Sequence, residues 1–270
     1  MESPPSIVGS LVSSRSLDSF GLHELVLSNG INVTYKVNDY LDDEILIHGS
    51  AWGGLSEIDL YDRDLLMSFW YATTVAMEYG RFGLPKDEVM DLLSGRRTHV
   101  SLDVGYYRRD MYGDCSPQDL ETQLQMMHML FTAKVKPDAQ RLETAKGLMR
   151  ESIINQKNDP MSEFGAVCNE LTGGGHPMFA SVVMNDVDDF DADLALAFYT
   201  HSFADPAKWR FVFSGNLEPA LLTSLVVKYL GSIPPGPRPS PAVLGSIPPE
   251  ELAKKLPAIN KAHTDVKSLN

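Results

Sequence analysis

Apolar positions along the chain change period several times, and each change marks an element. His23 to Ser28 and Ile31 to Val37 are short apolar-rich runs flanking Asn29-Gly30, a strong hairpin signal, and a third run from Glu44 to Trp52 closes on Gly53-Gly54. Three strands in succession, two of them joined by a tight turn, predict an antiparallel sheet rather than a dinucleotide-binding unit. From Leu65 to Tyr79 the spacing becomes helical, with Leu66, Phe69, Trp70, Thr73 and Met77 on one face. Asp62 and Asp64 stand at its positive end and Gly80 is a stop. Pro85 to Leu93 reads as a short helix ended by Gly95, and Thr98 to Val104 with Tyr106 to Cys115 as a hairpin around Gly105.

The stretch that follows carries the clearest punctuation. Ser116-Pro117-Gln118-Asp119 supplies a capping hydroxyl, a proline at the first helical position and an acid at the positive end. Leu120, Leu124, Met127 and Phe131 then share a face. A second helix begins at Pro137-Asp138, turns Leu142, Ala145, Leu148 and Met149 inward, and ends at Asn158-Asp159-Pro160. Further helices are predicted over Met161–Leu171, Phe190–Phe203 and Leu217–Leu230, with a strand over Trp209–Ser214. The sum is an α+β domain: a mostly antiparallel sheet with helices packed on one face. It buries the Leu124/Phe131/Leu148 and Phe69/Trp70 clusters. Residues 1–20, rich in Ser and Pro, read as a flexible lead-in, residues 21–233 as the domain, and residues 234–270 as a Pro-rich linker and tail with one short helix near Glu250 to Leu256.

Charge and composition narrow the partners. The 270 residues carry a formal net charge of −13, which repels phosphates and argues against nucleic-acid or anionic-membrane binding. No apolar run approaches spanning length. Two cysteines, Cys115 and Cys168, are too few for a disulfide framework and lack metal-ligand spacing, which suits a soluble protein of a reducing intracellular compartment, cytosol or organelle matrix.

Candidate chemistry fails at each test. His23, His48, His99, His128, His176, His201 and His263 never fall within four positions of one another, so no helix carries a two-histidine zinc motif. Asp186, Asp188, Asp189, Asp191 and Asp193 resemble a calcium loop, but Asp191 and Ala197 stand where the glycine and glutamate are required, and a helix-capping run is the better reading. Gly173-Gly174-Gly175 leads into His176-Pro177 rather than a phosphate-binding Lys-Ser or Lys-Thr. No nucleophile elbow is present, and Cys115 and Cys168 suit small buried hydrophobes. The residues supply no catalytic, cofactor or metal set.

Six phrases in order carry a resemblance: Leu27-Ser28-Asn29-Gly30-Ile31-Asn32-Val33; Gly53-Gly54-Leu55-Ser56-Glu57; Ser116-Pro117-Gln118-Asp119-Leu120-Glu121 with Leu124-Gln125; Asp159-Pro160; Phe203-Ala204-Asp205-Pro206 leading into Phe211-Val212-Phe213-Ser214-Gly215-Asn216-Leu217; and Tyr229-Leu230-Gly231-Ser232-Ile233-Pro234. Together they resemble the insulinase/pitrilysin family of zinc metallopeptidases, whose members repeat one α+β domain of the processing-peptidase and LuxS-like metallohydrolase fold. In catalytic members the helix after the third strand carries His-x-x-Glu-His, with a further Glu on a later helix. Here that helix reads Leu65-Leu66-Met67-Ser68-Phe69-Trp70-Tyr71, and Glu143 or Glu151 near the later ligand's place would not bind metal alone.

The resemblance therefore implies the first repeat of a non-catalytic C-terminal half, similar to PQQ-like zinc proteases. Such a half forms part of a chamber that encloses a peptide substrate beside a catalytic half holding zinc, in the same protein or a homologous subunit. No substrate-binding Arg or Tyr of the family's last repeat is carried over, because that repeat is absent here. The acidic balance favours basic peptides in such a chamber. The alternative implied by the same family is a non-enzymatic scaffold or assembly subunit.

Overall fold

The computed structural model describes Pro5 and residues 8–235. Seven strands form one sheet: β1 (Leu11–Leu17), β2 (Leu22–Leu27), β3 (Asn32–Val37), β4 (Ile45–Trp52), β5 (Thr98–Val104), β6 (Arg108–Cys115) and β7 (Arg210–Gly215), in the order β1-β2-β3-β7-β4-β6-β5. β3 and β7 run parallel, from Asn32 opposite Arg210 to Val37 opposite Gly215. The other neighbours are antiparallel. The helices are α1 (Arg63–Trp70), α2 (Ala72–Tyr79), α3 (Lys86–Leu92), α4 (Leu120–Thr132), α5 (Ala139–Asn158), α6 (Pro160–Thr172), α7 (Met184–Asp189), α8 (Ala192–Ser202) and α9 (Pro219–Tyr229).

One face of the sheet is covered. Along β4, Ile45, Ile47 and Ala51 point into the core while Leu46 and Trp52 stay exposed. β7 repeats the pattern, with Phe211 and Phe213 buried and Val212 exposed. Gly49 sits at a tight point: a Cβ there would lie 2.4 Å from the Phe211 ring. The turn after β2 anchors the segment that follows α9. Asn29 Nδ2 donates to the carbonyls of Leu230 and Ile233 at 2.7 and 3.0 Å, beyond the end of α9. The helix starts read from the sequence hold at two places: Ser116 accepts from the Asp119 amide and Asp138 from Arg141, while Asp159, read as the end of α5, also caps α6 by accepting from Ser162.

Three expectations are corrected, and the sheet adds one feature. The lead-in expected over residues 1–20 gives way at Leu11 to β1, which pairs antiparallel with β2. Its side chains are almost all exposed, so backbone hydrogen bonds hold it rather than an apolar face. The single helix expected over Leu65–Tyr79 breaks at Tyr71, whose near-zero ψ of 1° ends α1. The break buries Tyr71 against Phe190, ring centroids 5.2 Å apart, and leaves Trp70 43% exposed instead of in the core. On α5, Ala145 and Met149 are buried but Leu148 lies 52% exposed, because the core meets only one narrow stripe of that helix. The sheet also carries the parallel β3–β7 seam, since β7 arrives after a long helical connection rather than a hairpin. The short helix expected near Glu250 to Leu256, and nearly all of the Pro-rich tail, lie outside the described residues.

Candidate functional site

Strand β4 delivers the chain to Gly53-Gly54-Leu55-Ser56-Glu57 and so to α1. Gly53 and Gly54 have φ of 131° and 96°, a region side chains avoid, and a Cβ on Gly53 would lie 2.2 Å from Arg109 Nη1. Arg109, on the covered face of β6, is the buried post that holds this loop. Its Nε donates to Ser202 Oγ at 2.9 Å, its Nη1 to the Trp52 carbonyl at 3.2 Å, and its Nη2 to the Glu57 carboxylate. Burial pushes the Glu57 carboxyl up, but His201 and the Arg109 guanidinium more than offset this and hold it below its ordinary value. Arg109 is the stronger partner by geometry, because His201 Nε2 stands 3.6 Å from Glu57.

Helix α1 then occupies the place where chemistry is expected. Asp62 Oδ1 accepts from the Leu65 amide at 3.0 Å and fixes the start. Leu66, Met67, Ser68 and Phe69 are buried, and the Phe69 ring stacks on Phe198 of α8 with centroids 4.2 Å apart. The Ser68 hydroxyl is committed, donating to the Asp64 carbonyl and accepting from the Asp191 amide. Arg63 forks onto Asp186 at 3.0 and 2.6 Å and also donates to the carbonyls of Pro177 and Ser181, so it clamps the 173–183 loop to α1. Burial raises the Asp186 carboxyl, yet bonds from Arg63 and the Val183 amide carry it below its ordinary value. Burial and the Asp186 charge push the Tyr71 hydroxyl up to about 12. Zinc does not fit here, because this buried helix face offers carbon and one committed hydroxyl instead of imidazole or carboxylate.

The titratable residues read from the sequence are dispersed. His48 meets Asp110 at 2.9 Å and stacks on Tyr112, all three on the open sheet face. His23 stacks on Tyr35, His99 lies 3.7 Å from Asp114, and His128 packs edge-on to Tyr229. His176 accepts from the Met178 amide, and burial lowers its pKa; His263 lies outside the described residues. Among the described residues no three His, Cys, Asp or Glu side chains come together to hold a metal ion. In the acidic run, Asp191 caps α8, Asp186 braces Arg63 and Asp188 takes Arg150, which are structural roles. Burial pushes the Cys115 thiol up to about 12, while Cys168 is half-buried. Glu143 and Glu151 are exposed on α5.

Sequence reasoning missed two groupings. The Arg109–Glu57 post joins residues far apart in the chain, and its only local sign is a Glu following Gly53-Gly54. The open sheet face gathers exposed Leu46, Trp52, Tyr112 and Val212 around His48, and the register of β4 between β6 and β7 puts His48 opposite both Tyr112 and Val212.

No family model matches the chain. It is 31% identical over 231 residues to an Arabidopsis thaliana protein described as a PQQL-like zinc protease, covering 86% of this chain and 21% of that one. Its fold matches the periplasmic protease PqqL of Escherichia coli with a TM-score of 0.70 at 19% identity, over 88% of this chain and 26% of PqqL. It also matches an M16 peptidase inactive domain from Pseudomonas fluorescens with a TM-score of 0.61 at 13% identity, over 81% of this chain and 52% of that one. The chain thus spans about a fifth of the curated relative's length.

Proposed function

We propose that this chain, whose relatives and fold are those of the insulinase/pitrilysin-type zinc metallopeptidases, is a non-catalytic repeat of such an endopeptidase, built on the processing-peptidase and LuxS-like fold. It walls part of a peptide-enclosing chamber while zinc and bond cleavage belong to a catalytic half elsewhere, in the same protein or a homologous subunit. One observation carries the reading: α1 is filled with buried apolar side chains stacked on α8, where a catalytic repeat needs ligands. The short share of each relative's length supports a role within a larger assembly. The open sheet face, with Trp52 and Tyr112 exposed beside hydrogen-bonding His48 and Asp110, supplies contacts that suit an enclosed peptide.

The test is elemental zinc analysis of the purified chain, paired with cleavage of an unfolded peptide with and without chelator. No stoichiometric zinc and no cleavage is the expected result. Stoichiometric zinc with chelator-sensitive cleavage would sink the proposal.

A further inference from the structure

The net charge of −13 is not spread evenly over the open sheet face. On β5 and β6 that face carries Asp103, Asp110 and Asp114 with Arg108 and His99. Arg108 and His48 both meet Asp110 at 2.9 Å, and His99 lies 3.7 Å from Asp114. On the other side Arg210 and Lys36 stand on β7 and β3, which hold no acid, and Lys208 closes the turn before β7. Asp205, at the start of that turn, is committed to the Ala207 amide. Beyond, Glu24 and Arg15 face each other on β2 and β1. An acidic side and a basic side therefore flank β4. On β4 the small Ser50 sits between Trp52, 75% exposed, and the His48–Tyr112 stack.

The register lays one row across these strands. Asp103 is opposite Asp110, Asp110 opposite Ser50, and Ser50 opposite Arg210. The two ends of the row, Asp103 and Arg210, make no ion pair among the described residues. Like charges directly opposite repel, so Asp103 beside Asp110 favours a cation. The ends stand three strand spacings apart, about 14 Å, which about four residues of extended chain also cover.

We propose that this row is a substrate subsite for an extended peptide segment lying across the strands. An aromatic or large apolar residue sits over Ser50, between Trp52 and the His48–Tyr112 stack. A Lys or Arg two residues to one side meets Asp103, and an Asp or Glu two residues to the other meets Arg210. The inference rests on the repeat reading above and adds the chemistry of the peptide: mixed charge around an apolar centre rather than uniformly basic. Charge complementarity at both ends of the row selects this occupant.

The test titrates the purified chain with short fluorescein-labelled peptides and reads anisotropy. Their cores are Lys-Ala-Phe-Ala-Glu, the like-charged forms Glu-Ala-Phe-Ala-Glu and Lys-Ala-Phe-Ala-Lys, and Lys-Ala-Ser-Ala-Glu. The mixed-charge Phe peptide should bind best, the Ser peptide about tenfold weaker and each like-charged form about threefold weaker. Asp103→Lys should turn the preference to the Glu-Ala-Phe-Ala-Glu form, and Arg210→Glu to the Lys-Ala-Phe-Ala-Lys form. Both side chains are exposed, so the melting temperature should stay unchanged in each variant. Equal affinity for all four peptides, or no binding up to about 1 mM, would overturn the subsite and leave the repeat reading standing, since that reading answers to zinc and cleavage. Self-association of the chain, abolished by Trp52→Ser, would make a second copy the occupant and overturn the proposal.

Discussion

Helices α1 and α6 are similar in composition and opposite in fate. Each carries a line of large apolar residues and an Asp cap at its start. α1 buries Leu66, Met67 and Phe69, with Phe69 stacked on Phe198 of α8, whereas α6 buries nothing. The difference teaches that an apolar stripe states a need for a partner without saying whether the chain itself supplies it. Where the chain does, as at α1, the helix becomes part of the core. Where it does not, as at α6, the stripe stays exposed.

The comparison is tested most strongly at Phe69. Replacing it with Ala removes the stack on Phe198 and should cost about 3–5 kcal/mol in denaturant unfolding; a loss below about 1 kcal/mol would show that α1 is no true core element. Next comes Asp186→Ala, which strands Arg63 and frees the 173–183 loop; we expect a loss of about 3 kcal/mol with faster proteolysis in that loop.

Acid sharpens the same contrast. Glu57 and Asp186 both titrate in the folded protein below their ordinary values of 4.5 and 3.8. The unfolded chain therefore binds protons first, so their contribution is complete above about pH 5 and is lost as the pH falls through that range. Glu57→Gln should flatten the acid limb of a stability curve, and an unaltered limb would refute the assignment. The smallest effect belongs to α6: Phe164→Ser in the isolated chain should change stability by less than about 0.5 kcal/mol. Its amides should exchange before those of α1 in a hydrogen-exchange time course.

How much of this could be read from the residues follows from how local each signal is. The Asn29-Gly30 turn and the caps at Ser116 and Asp138 depend on neighbours in sequence, and they stand where the pattern puts them. Strand β1 was invisible because Leu11–Leu17 pairs through its backbone while its side chains face solvent. Helical spacing marks a face but not its width, so it assigns to the core Trp70 and Leu148, which lie exposed. At the candidate site the apolar character of α1 is legible as residue identities, since Leu66 and Phe69 are local facts of the sequence. Arg109 was not, because its burial and its bonds to Glu57 and Ser202 exist only once three distant segments meet.

The placing of β7 between β3 and β4 has a consequence for how the molecule is made. The first four strands leave the ribosome early, yet β3 and β4 are not neighbours and cannot close the sheet between themselves. Their facing edges stay unpaired until the penultimate element of the domain is synthesised and slides between them. A topology with such distant pairings folds slowly, and its waiting edges are templates for mispairing with other chains. During synthesis this chain should therefore be a client for chaperones that shield strand edges, released only when the last strand arrives.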